Sequence, residues 1–215
     1  MRLLIATTNR NKVREIRQLL DNIPIELVTL EAWPAVSAPE ETGRTFEENA
    51  RAKALYYAAA TGELTVAEDS GLEIDALGGT PGVESARYGG EQTKYPAKFE
   101  LIDRALRAKG AAGSSARFVC ALALAIDGRI LFETRGTVEG QIAPQPKGSN
   151  GFGYDPIFFY PPYGRTLGEA TDAEKSAVSH RGNAFRALRP FLEAFESEHR
   201  VSQRRNSSSG RDQKA

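Results

Sequence analysis

Asp127 and Gly128 restrict the possible folds of this chain more than any other part of the sequence. They separate two apolar runs, residues 118–126 and 130–132. An Asp-Gly dipeptide between apolar runs is typical of a two-residue β-hairpin, which joins antiparallel strands. We therefore expect antiparallel pairing here, with a further strand over residues 137–142 continuing the same sheet.

The first third of the chain alternates strands with helices. Short apolar runs over residues 3–6, 25–30 and 64–67 predict strands, and the last of these ends at an acid pair. A helix follows the first strand, and a second is predicted over residues 45–61, with a Thr45–Glu48 capping box and Gly62 after its end. Alternation favours parallel strands, so the whole chain predicts an α/β fold with a central mixed β-sheet and flanking helices.

The remaining elements are a helix over residues 99–109, a strand at 157–159 and a helix over 182–195 that Pro190 should kink or split. After residue 195 the only aliphatic side chain is Val201. We therefore expect one domain over residues 1–195 and a disordered C-terminal tail over residues 196–215.

Composition excludes several classes of function. Lys and Arg together number 28, as do Asp and Glu, so the formal net charge is zero. The chain therefore lacks the net positive charge that would favour nucleic acid as a partner. No apolar stretch approaches the ~20 residues of a membrane span, and no signal peptide is recognisable. With Cys120 as the single cysteine, no disulfide framework exists, and a cytoplasmic protein is expected. Two histidines are too few for a His/Cys zinc site, and no dinucleotide fingerprint follows the first strand.

Ligands of open α/β sheets bind at the carboxyl ends of strands, which directs attention to the loops after Ala6 and Ala67. The first loop, "TTNRNK", offers hydroxyls, amides and a cation at a helix start, as an anion cradle does. It has no glycine and is not a Walker A loop, and ordinary helix capping remains an alternative. Its candidate phosphate-binding residues are Thr7, Thr8, Asn9, Arg10, Asn11 and Lys12.

Acidic residues supply the second set of candidates. Glu68 and Asp69 end the third predicted strand, and Glu41 precedes the capped helix. Carboxylates beside a phosphate cradle are typical Mg²⁺ ligands, and a metal ion would relieve the repulsion within the pair. The alternative is a set of solvated surface acids.

Two later segments complete the candidates. In "GSNGFGYDPIFF", glycines flank Phe152 and Tyr154, an arrangement that presents a ring for stacking, although a turn with Phe152 in the core fits as well. In "EKSAVSHRG", Lys175, His180 and Arg181 concentrate donors at a helix start, where Ser179 capping is the alternative.

Six stretches in this order resemble the noncanonical purine nucleoside triphosphate pyrophosphatase family, which acts on inosine and xanthosine triphosphates. They are "ATTNRNKVREI", "EETGRTFEENARAKA", "AEDSGLEIDALGGTPGVESARYGG", "ARFVCALALA", "GFGYDPIFF" and "EKSAVSHRGNAFRAL". The resemblance implies two lobes around a nucleotide cleft, a homodimer, and Mg²⁺-dependent hydrolysis of ITP, dITP and XTP to the monophosphate and pyrophosphate.

The resemblance also implies residue roles. Asp69 would be the general base and a metal ligand, with Glu41 and Glu68 as further metal ligands, although many members have aspartate at position 68. Ser70 would contact substrate, and Phe152 would stack on the base in a pocket shaped by Gly153, Tyr154 and Asp155. Lys175, His180 and Arg181 would read the 6-keto group. A pyrophosphatase for modified pyrimidine nucleotides and a non-catalytic nucleotide-binding module are the alternatives.

Overall fold

The structure, a computed structural model, describes residues 1–209, with the backbone alone over 201–209. One seven-stranded sheet has the order β2-β1-β3-β4-β5-β6-β7. Its strands are β1 (Arg2–Ile5), β2 (Glu26–Thr29), β3 (Leu64–Ile74), β4 (Ser115–Ile126), β5 (Arg129–Ile142), β6 (Phe158–Tyr160) and β7 (Arg165–Thr166). The helices are α1 (Arg10–Leu19), α2 (Phe46–Thr61), α3 (Tyr95–Ala108), α4 (Asp172–Val178) and α5 (His180–Ser209).

The sheet is mixed, as predicted. β1 pairs in parallel with β2 and with β3, whereas every pairing from β3 to β7 is antiparallel. Asp127 and Gly128 join β4 to β5 with φ of 49° and 72°, the positive values that a type I′ hairpin turn requires. The predicted strand over residues 137–142 is the far end of β5, so the hairpin is longer than its apolar pattern indicates.

The prediction that the third strand ends at Ala67 is wrong. β3 continues through the acid pair to Ile74, because it pairs with β4 along its whole length, from Thr65 opposite Ala125 to Ile74 opposite Ala116. Glu68 and Asp69 are therefore consecutive residues inside a strand. Side chains alternate along a strand, so these two carboxylates point to opposite faces of the sheet.

Helices cover both faces of the parallel end of the sheet. On one face, Leu3, Ile5 and Val66 pack against α1 and α5. On the other face, Leu4 and Ala67 pack against the alanine-rich side of α2. A third core lies at the opposite end of the sheet, against α3, and contains Leu72, Ile102, Phe118, Phe158 and Leu167.

β3 extends beyond the end of its neighbour β1. The last paired residues of these strands are Ile5 and Val66, so one edge of β3 has no β1 partner after Val66. Groups from both faces of the sheet can meet along this edge. It is here that the chain leaves space for a ligand.

The C-terminal helix differs from its prediction. α5 begins at His180 and continues through Pro190 without a split, because Phe185, Leu188 and Leu192 are buried against the sheet on both sides of the proline. The predicted domain boundary at residue 195 falls inside this helix, where Glu196 is buried and pairs with Arg200. Residues 210–215 of the predicted tail lie outside the described residues.

Within residues 1–209, none of the helices is both long and apolar enough to span a bilayer.

Gly136 of β5 is required by the packing of α5. A Cβ at this position would lie 2.2 Å from the His180 carbonyl oxygen and 2.6 Å from the Ala184 nitrogen, both backbone atoms of the helix start. The first turn of α5, which carries two of the candidate site residues, therefore rests directly on the β5 backbone.

We predict that Gly136→Ala lowers the free energy of unfolding by ~1–3 kcal/mol or more, as overpacking against immobile atoms does. Urea denaturation measures this. Gly62→Ala is the control, because a Cβ there would meet no atom within 4 Å. Its only cost is an alanine in the left-handed conformation at the end of α2, ~1 kcal/mol. Equal losses in the two variants would show that α5 can shift away from β5.

Candidate functional site

The largest concentration of candidate residues surrounds a cavity of about 280 Å³ along the edge of β3 that extends beyond β1. The cavity lies between the α1 and α2 end of the molecule and the end formed by α3 and the loop before β6, which corresponds to the cleft predicted between two lobes. Its lining includes most of the predicted site residues: Thr7, Thr8, Asn9, Lys12, Glu41, Asp69, Ser70, Phe152, Gly153, Tyr154, Asp155, Lys175, His180 and Arg181. Arg10, Asn11 and Glu68 are absent from it.

The loop after β1 is organised by helix capping. Oδ1 of Asn9 accepts hydrogen bonds from the Asn11 and Lys12 nitrogens at 3.0 and 3.3 Å, and Oγ1 of Thr7 accepts from the Asn9 nitrogen. The helix-capping interpretation is thus confirmed, and the cap fixes a loop whose threonines and lysine line the cavity. Phosphate binding by this loop stays a prediction. The start of α1 and Lys12 give this end of the cavity its positive charge.

Asp69 points to the face of β3 that α2 covers. Its Oδ2 accepts from Nδ2 of Asn49 at 2.9 Å, and its Oδ1 lies 3.4 Å from Nζ of Lys53. The same Nζ lies 2.7 Å from Oε1 of Glu41, whose Oε2 lies 3.8 Å from Nη1 of Arg87. The two predicted metal carboxylates of this face are thus brought to one place, with a lysine between them.

Burial sets the protonation behaviour of this group. It raises the pKa of Asp69 above its ordinary value, and the Lys53 charge offsets only part of that effect. For Lys53, burial alone would lower the pKa, but Asp69 and Glu41 outweigh it and raise the pKa. Asp69 is therefore a carboxylate with enhanced basicity, as a general base requires.

Glu68 lies on the other face and is fully engaged there. Its carboxylate accepts from Nε of Arg181 at 2.9 Å and from Sγ of Cys120 at 2.9 Å, and it lies 3.4 Å from Nζ of Lys12. Burial would raise the pKa of Glu68, but Arg181 and Lys12 hold it well below the ordinary range. Arg181 also donates to Oγ of Ser70, which confirms that residues 68 and 70 share a face.

The three predicted metal carboxylates do not form one cluster. In the described part of the chain, no group of three or more His, Cys, Asp or Glu side chains is placed to hold a metal ion. The expectation that Glu68 and Asp69 act as a pair is corrected by the strand geometry, which separates them onto two faces. Glu41 and Asp69 remain as the two carboxylates that face each other.

Glu15 of α1 connects the two cations at the other end of the cavity. Its Oε1 lies 2.9 Å from Nζ of Lys175, and its Oε2 lies 2.6 Å from Nη1 of Arg181. Lys175 also lies 2.6 Å from Oδ2 of Asp155, which is 1% exposed. A chain of alternating charges thus runs from Asp155 through Lys175, Glu15 and Arg181 to the β3 face.

The ring of Phe152 packs against two cations of this chain, Lys175 and Arg181. Nζ of Lys175 lies 4.5 Å and the guanidinium carbon of Arg181 5.6 Å from its ring centroid. Asp155 fixes the loop by accepting from the Phe152 nitrogen at 2.8 Å, and a Cβ at Gly151 would lie 2.1 Å from that carboxylate. The ring is half-buried and lines the cavity, which does not fit the alternative that placed Phe152 in the core. Stacking on a base stays a prediction.

His180 closes the floor of the cavity. It stacks on Phe118 with 4.9 Å between ring centroids, and burial together with the Arg181 charge holds its pKa well below the usual range. Its buried Nδ1 has no hydrogen-bond partner within the described part of the chain. A neutral imidazole therefore lines the site. Nearby, Tyr154 donates to the Ser85 carbonyl at 2.9 Å and shapes the wall.

Sequence reasoning missed Asn49, Lys53 and Glu15. Asn49 and Lys53 are one turn apart on α2, the helix whose capping was recognised, and the i, i+4 spacing of two polar residues among alanines was the available signal. Glu15 follows Lys12 by three residues on α1, so its position on the same side of the helix was also open to prediction.

Comparison with known proteins places this arrangement in a family. The sequence model of the Ham1 family matches residues 3–191. The protein named dITP/XTP pyrophosphatase of Exiguobacterium sibiricum is 44% identical over 195 residues, which cover 91% of this chain and 98% of that protein. The protein of the same name from Thermus thermophilus is 46% identical over 91% of this chain and 92% of its own length. The chain belongs to the Ham1 family.

Solved structures agree with this assignment. A HAM1 protein from Coxiella burnetii superposes with a TM-score of 0.84 at 39% identity, covering 89% of this chain and 98% of that one. A structure from Mycobacterium abscessus, described as a nucleoside-triphosphatase / dITP/XTP pyrophosphatase, gives a TM-score of 0.72 at 41% identity over 88% of this chain and all of its own. The fold of the Ham1 structures is therefore the fold of this chain.

We predict that Glu68→Gln lowers the free energy of unfolding by about 3 kcal/mol at pH 7, because it leaves the Arg181 guanidinium short of a buried counter-charge. Since folding lowers the pKa of Glu68, its contribution is complete above the unfolded-state value of about 4.3 and is lost as the pH falls below it. The difference between the variant and the parent protein should therefore narrow in acid.

Urea denaturation at pH 7 and at pH 3.5 checks this dependence. Glu100→Gln serves as the control, because Glu100 is an exposed residue of α3, and it should change stability little at either pH. A Glu68→Gln deficit that stays constant between the two pH values would contradict the assigned ion pair.

Proposed function

We propose that this chain hydrolyses the noncanonical purine nucleoside triphosphates ITP, dITP and XTP to the monophosphate and pyrophosphate, which removes them from the nucleotide pool. One observation carries the proposal: a buried, basic carboxylate, Asp69, faces the same cavity as a capped cationic loop and a half-buried ring, Phe152. The names of the curated relatives support the same activity.

The cavity has distinct ends for the two parts of such a substrate. The triphosphate lies at the end formed by Thr7, Thr8 and Lys12, where the positive charges gather. The base lies against Phe152, and the donors beneath it are Lys175, His180 and Arg181. Gly153, Tyr154 and Asp155 form the wall around the base, and Ser70 contacts the nucleotide between the two ends.

Mg²⁺ fits the site through Glu41 and Asp69. Mg²⁺ is commonly bound by one or two carboxylates together with substrate phosphates and water, and these two carboxylates already hold one cation, the Lys53 ammonium, between them. When bound, Mg²⁺ neutralises charge on the phosphate oxygens. Glu68 has no free oxygen for it and instead fixes the direction of Arg181.

Asp69 acts as the general base. Its raised pKa increases its affinity for a proton, and Asn49 holds the carboxylate in one orientation by bonding Oδ2. The carboxylate takes the proton of a water that attacks the α-phosphorus, and pyrophosphate leaves towards Lys12. Positioned base catalysis contributes ~10²–10⁴-fold to such a reaction.

Selection of the base follows from the hydrogen-bonding groups below Phe152. Donors there pair with a 6-keto oxygen, whereas the 6-amino group of adenine would place a donor against a donor. A site left with buried unpaired polar groups rejects the wrong substrate strongly. His180 lines the cavity as a neutral imidazole, and a neutral imidazole carries one N–H donor that fits this role.

A panel of triphosphates tests the proposed function. Turnover with Mg²⁺ of ITP, dITP and XTP, well above that of ATP, GTP and modified UTP, is expected, with pyrophosphate and not free phosphate as the product. Preference for modified UTP would favour a pyrimidine pyrophosphatase. Binding without turnover would identify a nucleotide-binding module instead.

We predict that Asp69→Asn reduces kcat for ITP by ~10²-fold or more, because the amide cannot accept the proton of the attacking water. Steady-state kinetics with pyrophosphate detection measures this effect, and circular dichroism checks the fold. Asp103→Asn is the matched control, since Asp103 is an exposed residue of α3 that pairs with Arg107, and it should retain full activity. Full kcat in the Asp69 variant would remove the assignment of the base.

We also propose, from the resemblance to the family, that the chain acts as a homodimer in the cytoplasm, without a stable nucleic-acid or membrane partner. Light scattering of the purified protein gives its mass in solution. A mass of one chain, 23.4 kDa, at working concentrations would contradict the dimer.

A further inference from the structure

The ammonium of Lys53 is held by two carboxylates that lie on different parts of the chain. Nζ is 2.7 Å from Oε1 of Glu41, which precedes α2, and 3.4 Å from Oδ1 of Asp69 in β3. The Lys53 side chain is only 12% exposed, so solvent provides little of its stabilisation. Lys53 is therefore the counter-ion of this carboxylate pair.

The other oxygens of the two carboxylates are held separately. Asn49 donates to Oδ2 of Asp69, and Arg87 lies 3.8 Å from Oε2 of Glu41. These contacts would keep both carboxylates in place if Lys53 moved away. Oε1 of Glu41 would then become free, and Oδ1 of Asp69 would keep only the hydrogen bond from the Ser70 nitrogen at 3.1 Å. Both oxygens face the position that the Lys53 ammonium now fills.

We propose that Lys53 occupies the divalent-cation position in the metal-free protein and must leave it when the metal binds, an inference that rests on the proposed function. Two cations cannot share one pair of carboxylate oxygens, because like charges repel strongly at contact distance in a partly desolvated site. The lysine stem is flexible, and Lys53 lines the cavity, so the displaced ammonium stays beside the triphosphate.

This exchange preserves the charge balance of the site in both states. Without metal, the lysine neutralises the two carboxylates, whose mutual repulsion would otherwise be uncompensated. With metal and nucleotide, the same lysine meets the added phosphate charge. Lys53 is thus a positioning residue that competes with the metal, so that metal binds more weakly without nucleotide than with an anionic ligand that takes up the displaced ammonium.

Metal affinity in the absence of nucleotide is the first test. Mn²⁺ binding, followed by the loss of its free electron paramagnetic resonance signal, is measured for the parent protein and for Lys53→Met. We expect the variant to bind Mn²⁺ about tenfold tighter or more, because the competing ammonium is gone. Lys109→Gln removes the same charge at a distant site, where Lys109 contacts the Ala76 carbonyl, and should bind as the parent does.

A second control distinguishes two effects on Mn²⁺ affinity: occupation of the cation position by an ammonium, and the presence of a positive charge nearby. Arg87→Gln also removes a cation that contacts Glu41, but one that lies outside the shared position. It should strengthen Mn²⁺ binding much less than Lys53→Met does. Equal effects of the two variants, or no gain in Lys53→Met, would overturn the proposal. So would the absence of Mn²⁺ binding by every variant, whereas the turnover panel tests the proposed function independently.

The second test needs no variant. Acetylation of lysines by a succinimide ester is mapped by peptide mass spectrometry in two samples that contain no nucleotide. One sample has no Mg²⁺, and the other has Mg²⁺ at a concentration that saturates the site. Labelling of Lys53 should rise with Mg²⁺ as its ammonium leaves the carboxylates, while labelling of Lys109 stays constant. Unchanged or reduced labelling of Lys53 would show that the lysine keeps its place when metal binds.

Discussion

The site depends on the unequal lengths of two neighbouring strands. β1 ends at Ile5, whereas β3 continues along β4 to Ile74, and this leaves one edge of β3 without a partner strand. An ordinary parallel sheet would separate its two covering layers completely. Here the two faces of the sheet meet along the edge of β3 that extends beyond β1. As a result, Asp69 from the α2 face and Ser70 from the α5 face line one cavity.

Charge balance explains most of the side chains around that cavity. Acids and bases alternate from Asp155 through Lys175, Glu15 and Arg181 to Glu68, and each ion of this series has at least one opposite neighbour. Buried charges are tolerated only when they are paired, and removal of one member leaves another uncompensated. The network therefore gives the site a fixed geometry before any ligand arrives.

Much of this could be predicted from the sequence. The Asp127–Gly128 turn, the cap at Thr45 and the alternation of strands with helices indicated a mixed α/β sheet, and polar loops after apolar runs indicated most of the lining residues. The full length of β3 could not be predicted, because two adjacent acids are unusual in a strand and only pairing with β4 explains them. Lys53 and Glu15 were missed for a related reason, since exposed and buried helix charges look alike until their partners are known.

The alternation of side chains along β3 has a consequence for how such a site can change over evolution. Asp69 and Ser70 serve different layers only because they are neighbours in a regular strand, and a shift by one residue would exchange their directions. A deletion or insertion of one residue between Leu64 and Asp69 would thus turn the carboxylate of Asp69 towards α5. Changes of length in the loops outside β3 would leave the directions of Asp69 and Ser70 unchanged.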